Sequence, residues 1–133
     1  MQPLVRDVAA TAQALHTAGW VANHDGNVSA RAREGDRFFA TPTATSKRLV
    51  KAEDIIVVDA AGKVLSGRKK LFGEWHLHAA AYAARPDVHA VIHAHPAAAT
   101  AIGLARQQLG IPLLPEMVVS LGANVPTLDF GIA

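Results

Sequence analysis

The sequence contains two His-x-His pairs, which are the first candidates for metal ligands. His93 and His95 lie in a β-rich stretch, where residues two apart face the same side of a strand about 6–7 Å apart at the backbone. Two imidazoles in that arrangement can converge on one metal ion. His76 and His78 lie in a predicted helix, where residues two apart point in different directions. The spacing therefore makes His93 and His95 the candidate metal pair, and two sheet histidines bonded to backbone groups or at an interface remain the simpler alternative on spacing alone.

Glu74 is the candidate acid or base, and it stands at the predicted start of a helix. An acidic residue in a first turn is also stabilised by the helix dipole, by about 0.3–1 kcal/mol, which is the simpler explanation for Glu74 taken alone. His78 lies four residues further on and shares a helix face with Glu74, a spacing that suits a proton-relay neighbour.

Two polar loops flank predicted strands, at Gly26-Asn27 and at residues 41–43 (Thr-Pro-Thr). Backbone N–H groups in such loops can bind anions, and ordinary turns would have the same composition. Each loop is thus a candidate substrate-binding segment.

The elements that must position these residues alternate between helices and hairpin strands. Apolar residues at helical spacing predict a first helix over 4–18, ended by Gly19. The remaining pattern predicts a hairpin (27–32 and 36–41), two strands (55–59 and 63–65), a helix (74–84), a β-rich stretch (89–95), a helix (96–108) and two β-like runs (117–121 and 125–128). This order favours a mixed or mainly antiparallel sheet covered by helices.

The composition is that of one small domain. The chain has 133 residues, a mass of 14.0 kDa, 50% hydrophobic residues and 27 alanines. Alanine-rich elements bury little apolar area each, so an oligomer is expected. A net charge of +2 without a dense basic patch argues against nucleic acid, and the most apolar stretch (96–105) is about half a membrane span. Without cysteine or a signal peptide, we expect a cytoplasmic protein with no membrane partner.

Taken together, six motifs resemble the class II aldolase/adducin family, in the family's order from about Gly19 to Leu128. They are the loop Gly26–Arg31, the loop Phe39–Thr43, the strand and turn Asp54–Lys63, the segment Glu74–His78, the Arg85-Pro86-Asp87 turn and the strand Ala90–His95. The resemblance implies an α/β fold, an α/β/α sandwich on a mainly antiparallel central sheet, with residues 1–133 forming its N-terminal and central part. It also implies a homotetramer with active sites near subunit interfaces.

The resemblance implies a chemistry as well: a zinc-dependent, aldolase-type lyase of carbohydrate metabolism that acts on a small sugar or sugar phosphate. A divalent metal, most often Zn²⁺, would be held by His93 and His95 and would stabilise the enediolate formed when a C–C bond breaks. Glu74 would be catalytic, and the substrate would be bound by Asn27, Ser29, Thr43, Gly73 and Glu116. A dehydratase or epimerase of the same family, or a non-catalytic adducin-like interaction domain, are the alternatives.

The sequence departs from the family pattern around the expected phosphate site. Phe72 and Gly73 stand where phosphate-binding members carry hydroxyl residues, and Ala44 replaces a glycine, a change expected to restrict the second loop. We therefore expect weaker phosphate recognition, unless one of three lysines compensates: Lys47, Lys69 or Lys70.

A second departure concerns the end of the chain. Glu116 replaces the aldolase's interface tyrosine, and a carboxylate there suits either an acid/base role in a dehydratase or epimerase, or a salt bridge. No histidine follows His95, whereas catalytic zinc normally takes three protein ligands. Glu74, Glu116, Asp129 or another chain would supply the third ligand, or the chain is the N-terminal piece of a longer protein.

Overall fold

The computed structural model describes residues 3–33, 36–105, 115–122 and 125–126. It divides into two compact units, Met1–His95 and Pro96–Ala133, each of which is described by itself. Among the described residues, no helix is long and apolar enough to cross a membrane.

The first unit consists of two helices and a five-stranded sheet. Its helices are α1 (Pro3–Thr17) and α2 (Trp75–Ala84), and its strands are β1 (Asn27–Arg31), β2 (Phe38–Ala40), β3 (Ile56–Val58), β4 (Val64–Ser66) and β5 (Ala90–His93). The strand order is β4-β3-β2-β1-β5, and each neighbouring pair is antiparallel. The prediction of a mainly antiparallel sheet is confirmed.

One helix covers each face of this sheet. On one face, α1 packs its apolar stripe against alternate strand residues such as Val28, Ala30 and Phe39. On the other face, Trp75 and Tyr82 of α2 pack against residues that include Phe38, Ala40, Ile56 and Val58. Because strand side chains alternate between faces, the two cores stay separate and the architecture is α/β/α, as predicted.

The predicted elements of this unit are confirmed apart from their ends. Gly19 adopts a φ of +71° directly after α1, a left-handed conformation that suits the end of a helix. The β-rich prediction over 89–95 is wrong beyond His93, where β5 ends. His95 N–H instead donates to the Trp20 carbonyl at 2.9 Å, a bond that takes the chain out of the sheet ladder.

The second unit contains helices α3 (Ala97–Leu104) and α4 (Pro115–Leu121). The β-like prediction over 117–121 is wrong, because Pro115 at the helix start and Glu116 in the first turn favour a helix, and Gly122 ends it with a φ of +86°. The predicted helix over 96–108 is confirmed as far as Leu104, whereas 106–108 lie outside the described residues. Of the predicted run 125–128, the two described residues are not in a strand and the other two lie outside the described residues.

Candidate active site

The candidate site lies on the face of the sheet that α2 covers. Asn27 and Ser29 of β1 face α2, where both contact His78. His93 of β5 stands opposite Asn27 in the antiparallel register, so its backbone lies beside the same spot. The alternation of the two strands and one face of α2 therefore bring together residues that are distant in sequence.

A chain of four hydrogen bonds joins α2 to β1 beneath the site. It links Tyr82 Oη to Ser29 Oγ (2.8 Å), Ser29 Oγ to His78 Nδ1 (2.7 Å), His78 Nε2 to Asn27 Oδ1 (2.7 Å), and Asn27 Nδ2 to Glu74 Oε2 (3.4 Å). Asn27, Ser29, His78 and Tyr82 are all buried. We call these four residues the buried network.

The direction of each hydrogen bond in the buried network follows from the chemistry of its ends. An ionised Glu74 carboxylate only accepts, so the Asn27 NH₂ group faces it and Asn27 Oδ1 faces His78. Burial lowers the pKa of His78 to about 4, so its ring is neutral, with Nε2–H donating to Asn27 and Nδ1 accepting from the Ser29 hydroxyl. The Tyr82 hydroxyl then donates to Ser29, and every donor points toward Glu74.

This arrangement corrects the expectation that His78 is a proton-relay neighbour of Glu74. The Asn27 amide stands between them, and an amide does not pass on a proton at neutral pH. The buried network instead holds the Asn27 side chain, which in turn donates to the Glu74 carboxylate.

Glu74 precedes α2 as its N-cap residue, but its side chain makes no capping hydrogen bond. The carboxylate is half-buried and lines a cleft of about 330 Å³ together with Asn27, Thr43, Lys47 and His95. A capping hydrogen bond therefore does not account for where this side chain points. A carboxylate in that position can take a proton from, or give one to, a molecule in the cleft.

The two predicted loops meet at this cleft. Gly26 has a φ of +68°, and a Cβ there would lie 2.5 Å from Val21 Cγ1 and 2.7 Å from the His93 carbonyl oxygen, so only glycine fits. The second loop brings the exposed Thr43 to the cleft and carries Ala44 at a φ of +51°. Ala44 therefore adopts the left-handed conformation for which a glycine is better suited, and the loop bends in spite of the substitution.

His93 and His95 converge, as their spacing predicts. Their Nε2 atoms are 3.1 Å apart and their ring centroids 4.8 Å apart. Two ligands of a tetrahedral zinc ion, each about 2.0–2.1 Å from the metal, lie about 3.3 Å apart, so the pair fits two positions of such a site. Burial and the neighbouring His95 both lower the pKa of His93, which favours the neutral ring that binds metals, although Glu74 opposes this shift.

The rest of a metal site is not found within the described residues. No group of three His, Cys, Asp or Glu side chains there is arranged to hold an ion, so Glu74 does not complete the pair. The buried Nδ1 of His93 has no hydrogen-bond partner among them either. Of the other candidate ligands, Glu116 lies in the second unit and Asp129 lies outside the described residues.

The remaining predicted substrate residues have different surroundings. Ser29 is fully buried and bonds to His78 and Tyr82, so it lies beneath the cleft and not along it. Gly73 is exposed with open space around its Cα, while the ring of Phe72 is buried 4.9 Å from that of His78. Phe72 thus belongs to the core on this face of the sheet and also lines the cleft, to which it offers no hydrogen bond.

The sequence patterns did not predict that Ser29 and Tyr82 belong to the buried network. They also did not distinguish Lys47 from Lys69 and Lys70 as the lysine at the cleft. One signal was available: Glu74, His78 and Tyr82 recur every four residues in an otherwise alanine-rich helix. That spacing places three polar groups on one helix face.

The antiparallel α/β/α architecture, with a carboxylate and an imidazole at one cleft, defines the fold class of this chain. The chain belongs to the class II aldolase and adducin family, because the family model "Class II Aldolase and Adducin N-terminal domain" matches residues 6–131.

Two curated relatives carry enzyme names. The chain is 32% identical over 132 residues to the L-fuculose phosphate aldolase of Escherichia coli, a match that covers 96% of this chain and 59% of the aldolase. It is 44% identical over 82 residues to a methylthioribulose-1-phosphate dehydratase of Methylococcus capsulatus, covering 62% of this chain and 39% of the dehydratase. The chain thus spans about two fifths to three fifths of the length of these relatives.

Solved structures share the fold. The Escherichia coli protein YgbL matches with a TM-score of 0.83 and 28% identity, over 92% of this chain and 60% of that protein. An L-fuculose-1-phosphate aldolase from Thermus thermophilus matches with a TM-score of 0.73 and 25% identity, over 91% of this chain and 61% of the aldolase. The predicted family and fold class are therefore confirmed.

Proposed function

We propose that this chain forms the acid/base and metal-binding part of a divalent-metal-dependent lyase that acts on a small sugar or sugar phosphate. The observation that carries the proposal is the meeting of the Glu74 carboxylate and the His95 imidazole at one cleft, with the His93 Nε2 atom 3.1 Å from that of His95. In this proposal Glu74 is the catalytic acid/base, and His93 and His95 are two of the metal ligands. The third ligand comes from outside the described residues or from another chain.

The proposed chemistry is proton transfer next to a carbonyl group. A bound divalent metal, for which we propose Zn²⁺, would act as a Lewis acid toward substrate oxygens. Glu74 moves a proton to or from the reacting carbon, and general acid–base catalysis of this kind contributes about 10²- to 10⁴-fold. Asn27 donates to the carboxylate and keeps it turned toward the cleft, since the buried network prevents the amide from rotating.

Aldol cleavage is the first candidate reaction because the relative that matches the chain over 132 residues is named an aldolase. Dehydration is the second candidate, because the relative with 44% identity is named a dehydratase. Both include a proton transfer at carbon that Glu74 can perform. In cleavage the hydroxyl proton passes to solvent, the C–C bond breaks, and Glu74 gives a proton to the released carbon. In dehydration Glu74 takes the proton next to the carbonyl, and the C–O bond then breaks to release water. Product analysis separates them: cleavage yields two shorter carbonyl compounds, whereas dehydration preserves the carbon skeleton.

We further propose that the protein is a cytoplasmic homotetramer, which suits its alanine-rich composition. Light scattering on the purified chain tests the tetramer. A monomer at micromolar concentration would contradict it.

The experiment for the lyase combines metal content with turnover of ketose 1-phosphates. We expect the purified chain to bind zinc stoichiometrically, and the His93→Ala and His95→Ala variants to lose it. His76→Ala is the matched control, because His76 is an exposed histidine that does not line the cleft. Glu74→Gln should keep its zinc and lose about 10²-fold or more in turnover.

The opposite results would contradict this proposal. Zinc retained by His93→Ala would remove the metal assignment, and unchanged turnover in Glu74→Gln would remove the catalytic one. A native chain that binds no divalent metal at all would favour the alternative of an adducin-like interaction domain.

A further inference from the structure

Lys47 is a buried lysine in the wall of the cleft. Its side chain is only 1% exposed, yet it is among the residues that line the cleft with Thr43 and Glu74. Its Nζ donates to the carbonyl oxygens of His24 (3.0 Å) and Thr45 (3.1 Å), which hold the ammonium in one place. An ammonium has three N–H donors, so one remains for a group in the cleft.

The charge of Lys47 is not balanced by a direct ion pair. Among the described residues, no carboxylate lies within ion-pair distance of its Nζ, although Asp25 and Glu74 are near enough to act on it through space. Burial lowers the pKa of Lys47 in spite of these two acids. Buried charges in proteins are normally paired, and two carbonyl dipoles are an incomplete substitute for a counter-ion.

The other two lysines that sequence analysis left open are accounted for elsewhere. Lys69 Nζ lies 2.7 Å from Asp54 Oδ1 and donates to Thr45 Oγ1 at 3.3 Å, so its charge is paired. Lys70 is exposed, and in the described part of the chain it does not line the cleft. Lys47 alone of the three combines burial with access to the cleft.

We propose that Lys47 is the anion anchor of the cleft and binds a phosphate group of the substrate. This inference rests on the proposed function for its choice of substrate, a sugar phosphate. It replaces the expectation of weak phosphate recognition, since an ammonium held ready on one wall offsets the missing hydroxyl at Phe72. The same ammonium would have no counter-ion if the natural substrate were an uncharged sugar.

The test uses inorganic phosphate as the probe and the full chain without added metal, in the presence of a chelator. We expect phosphate to bind the wild type, and Lys47→Met and Lys47→Gln to weaken the binding by about 10- to 100-fold, the loss of one charge-assisted hydrogen bond. Lys70→Met is the matched control, because it removes the same charge from an exposed position and should bind phosphate as the wild type does. Lys47→Gln keeps a donor for the two carbonyls if Lys47→Met fails to fold.

A second measurement needs no variant: the NMR signal of the Lys47 Cε–Hε group should shift when phosphate is added to the wild type. The proposal is overturned if that signal does not move, if phosphate binds Lys47→Gln as tightly as the wild type, or if the wild type binds no phosphate. Failure here leaves zinc binding by His93 and His95 untouched. Conversely, a His93→Ala variant that loses zinc but still binds phosphate would show that the phosphate site does not depend on the metal site.

Discussion

Two regions meet at the cleft and differ in how their polar groups are satisfied. The buried network (Asn27, Ser29, His78 and Tyr82) forms an unbroken chain of hydrogen bonds that ends on the Glu74 carboxylate. The cleft rim consists of three exposed residues, Thr43, Ala44 and His95. Among the described residues, the imidazole of His95 has the imidazole of His93 as its polar partner.

Because of this difference, we expect the buried network to contribute mainly to stability and the cleft rim mainly to ligand binding. Polar groups in the buried network already have their partners, so breaking any one of them leaves others buried and unpaired. The side chains of the cleft rim have few partners among the described residues, so a bound molecule can supply more. Substitutions in the two regions should therefore affect different measurements.

The largest expected effect comes from removing the middle of the buried network. His78→Leu leaves Asn27 Oδ1 and the Ser29 O–H without their His78 partner, at a cost of about 1–3 kcal/mol each, so the free energy of unfolding should fall by about 2–6 kcal/mol. His95→Leu, the same change on the cleft rim, should cost less than about 1 kcal/mol. Urea unfolding measures both, and equal losses would abolish the contrast between the two regions.

An intermediate effect is expected from pH. The folded protein holds the pKa of His78 at about 4, below its ordinary value of 6.5, mainly because the ring is buried. Between these values the unfolded chain binds a proton that the folded chain does not, so stability is fully present above 6.5 and is lost as the pH falls toward 4. We expect the free energy of unfolding to fall by about 2–3 kcal/mol between about pH 7 and about pH 4.5.

His78→Gln is the control for this pH dependence. Glutamine cannot titrate, so the variant should lose most of the slope in this window while other groups, His93 among them, continue to contribute. An unchanged slope in His78→Gln would show that the buried imidazole is not its source.

The smallest expected effect is at the cleft rim. Ala44 adopts a φ of +51°, which costs a residue with a Cβ about 1–2 kcal/mol, whereas glycine loses about 0.4–1 kcal/mol through greater freedom in the unfolded chain. Ala44→Gly should therefore stabilise the protein by up to about 1.6 kcal/mol. Ala10→Gly, at an exposed position within α1, should destabilise it by about 1 kcal/mol. Thermal unfolding compares the two, and a loss of stability in Ala44→Gly would contradict the strain argument.

Local patterns predicted most of the first unit and less of the second. Periodicity located α1, α2 and the hairpin because each has an apolar stripe or alternation of its own. It failed at 117–121, where a mainly apolar run has the length of a strand. The helix that forms there starts two residues earlier, at Pro115, a residue that favours a first helical turn. Periodicity also extended β5 to His95, because a backbone bond to Trp20 cannot be read from local composition.

For the candidate site, the sequence by itself supplied the candidate residues Glu74, Asn27, His93 and His95, although it placed both histidines in one strand, which ends at His93. Only the tertiary structure decided how these groups are held. The direction of the Asn27 amide and the burial of Lys47 depend on contacts between residues 20 to 50 positions apart, which no local pattern encodes. Burial, which keeps the His78 ring neutral and lowers the pKa of Lys47, exists only once the helix and sheet have packed.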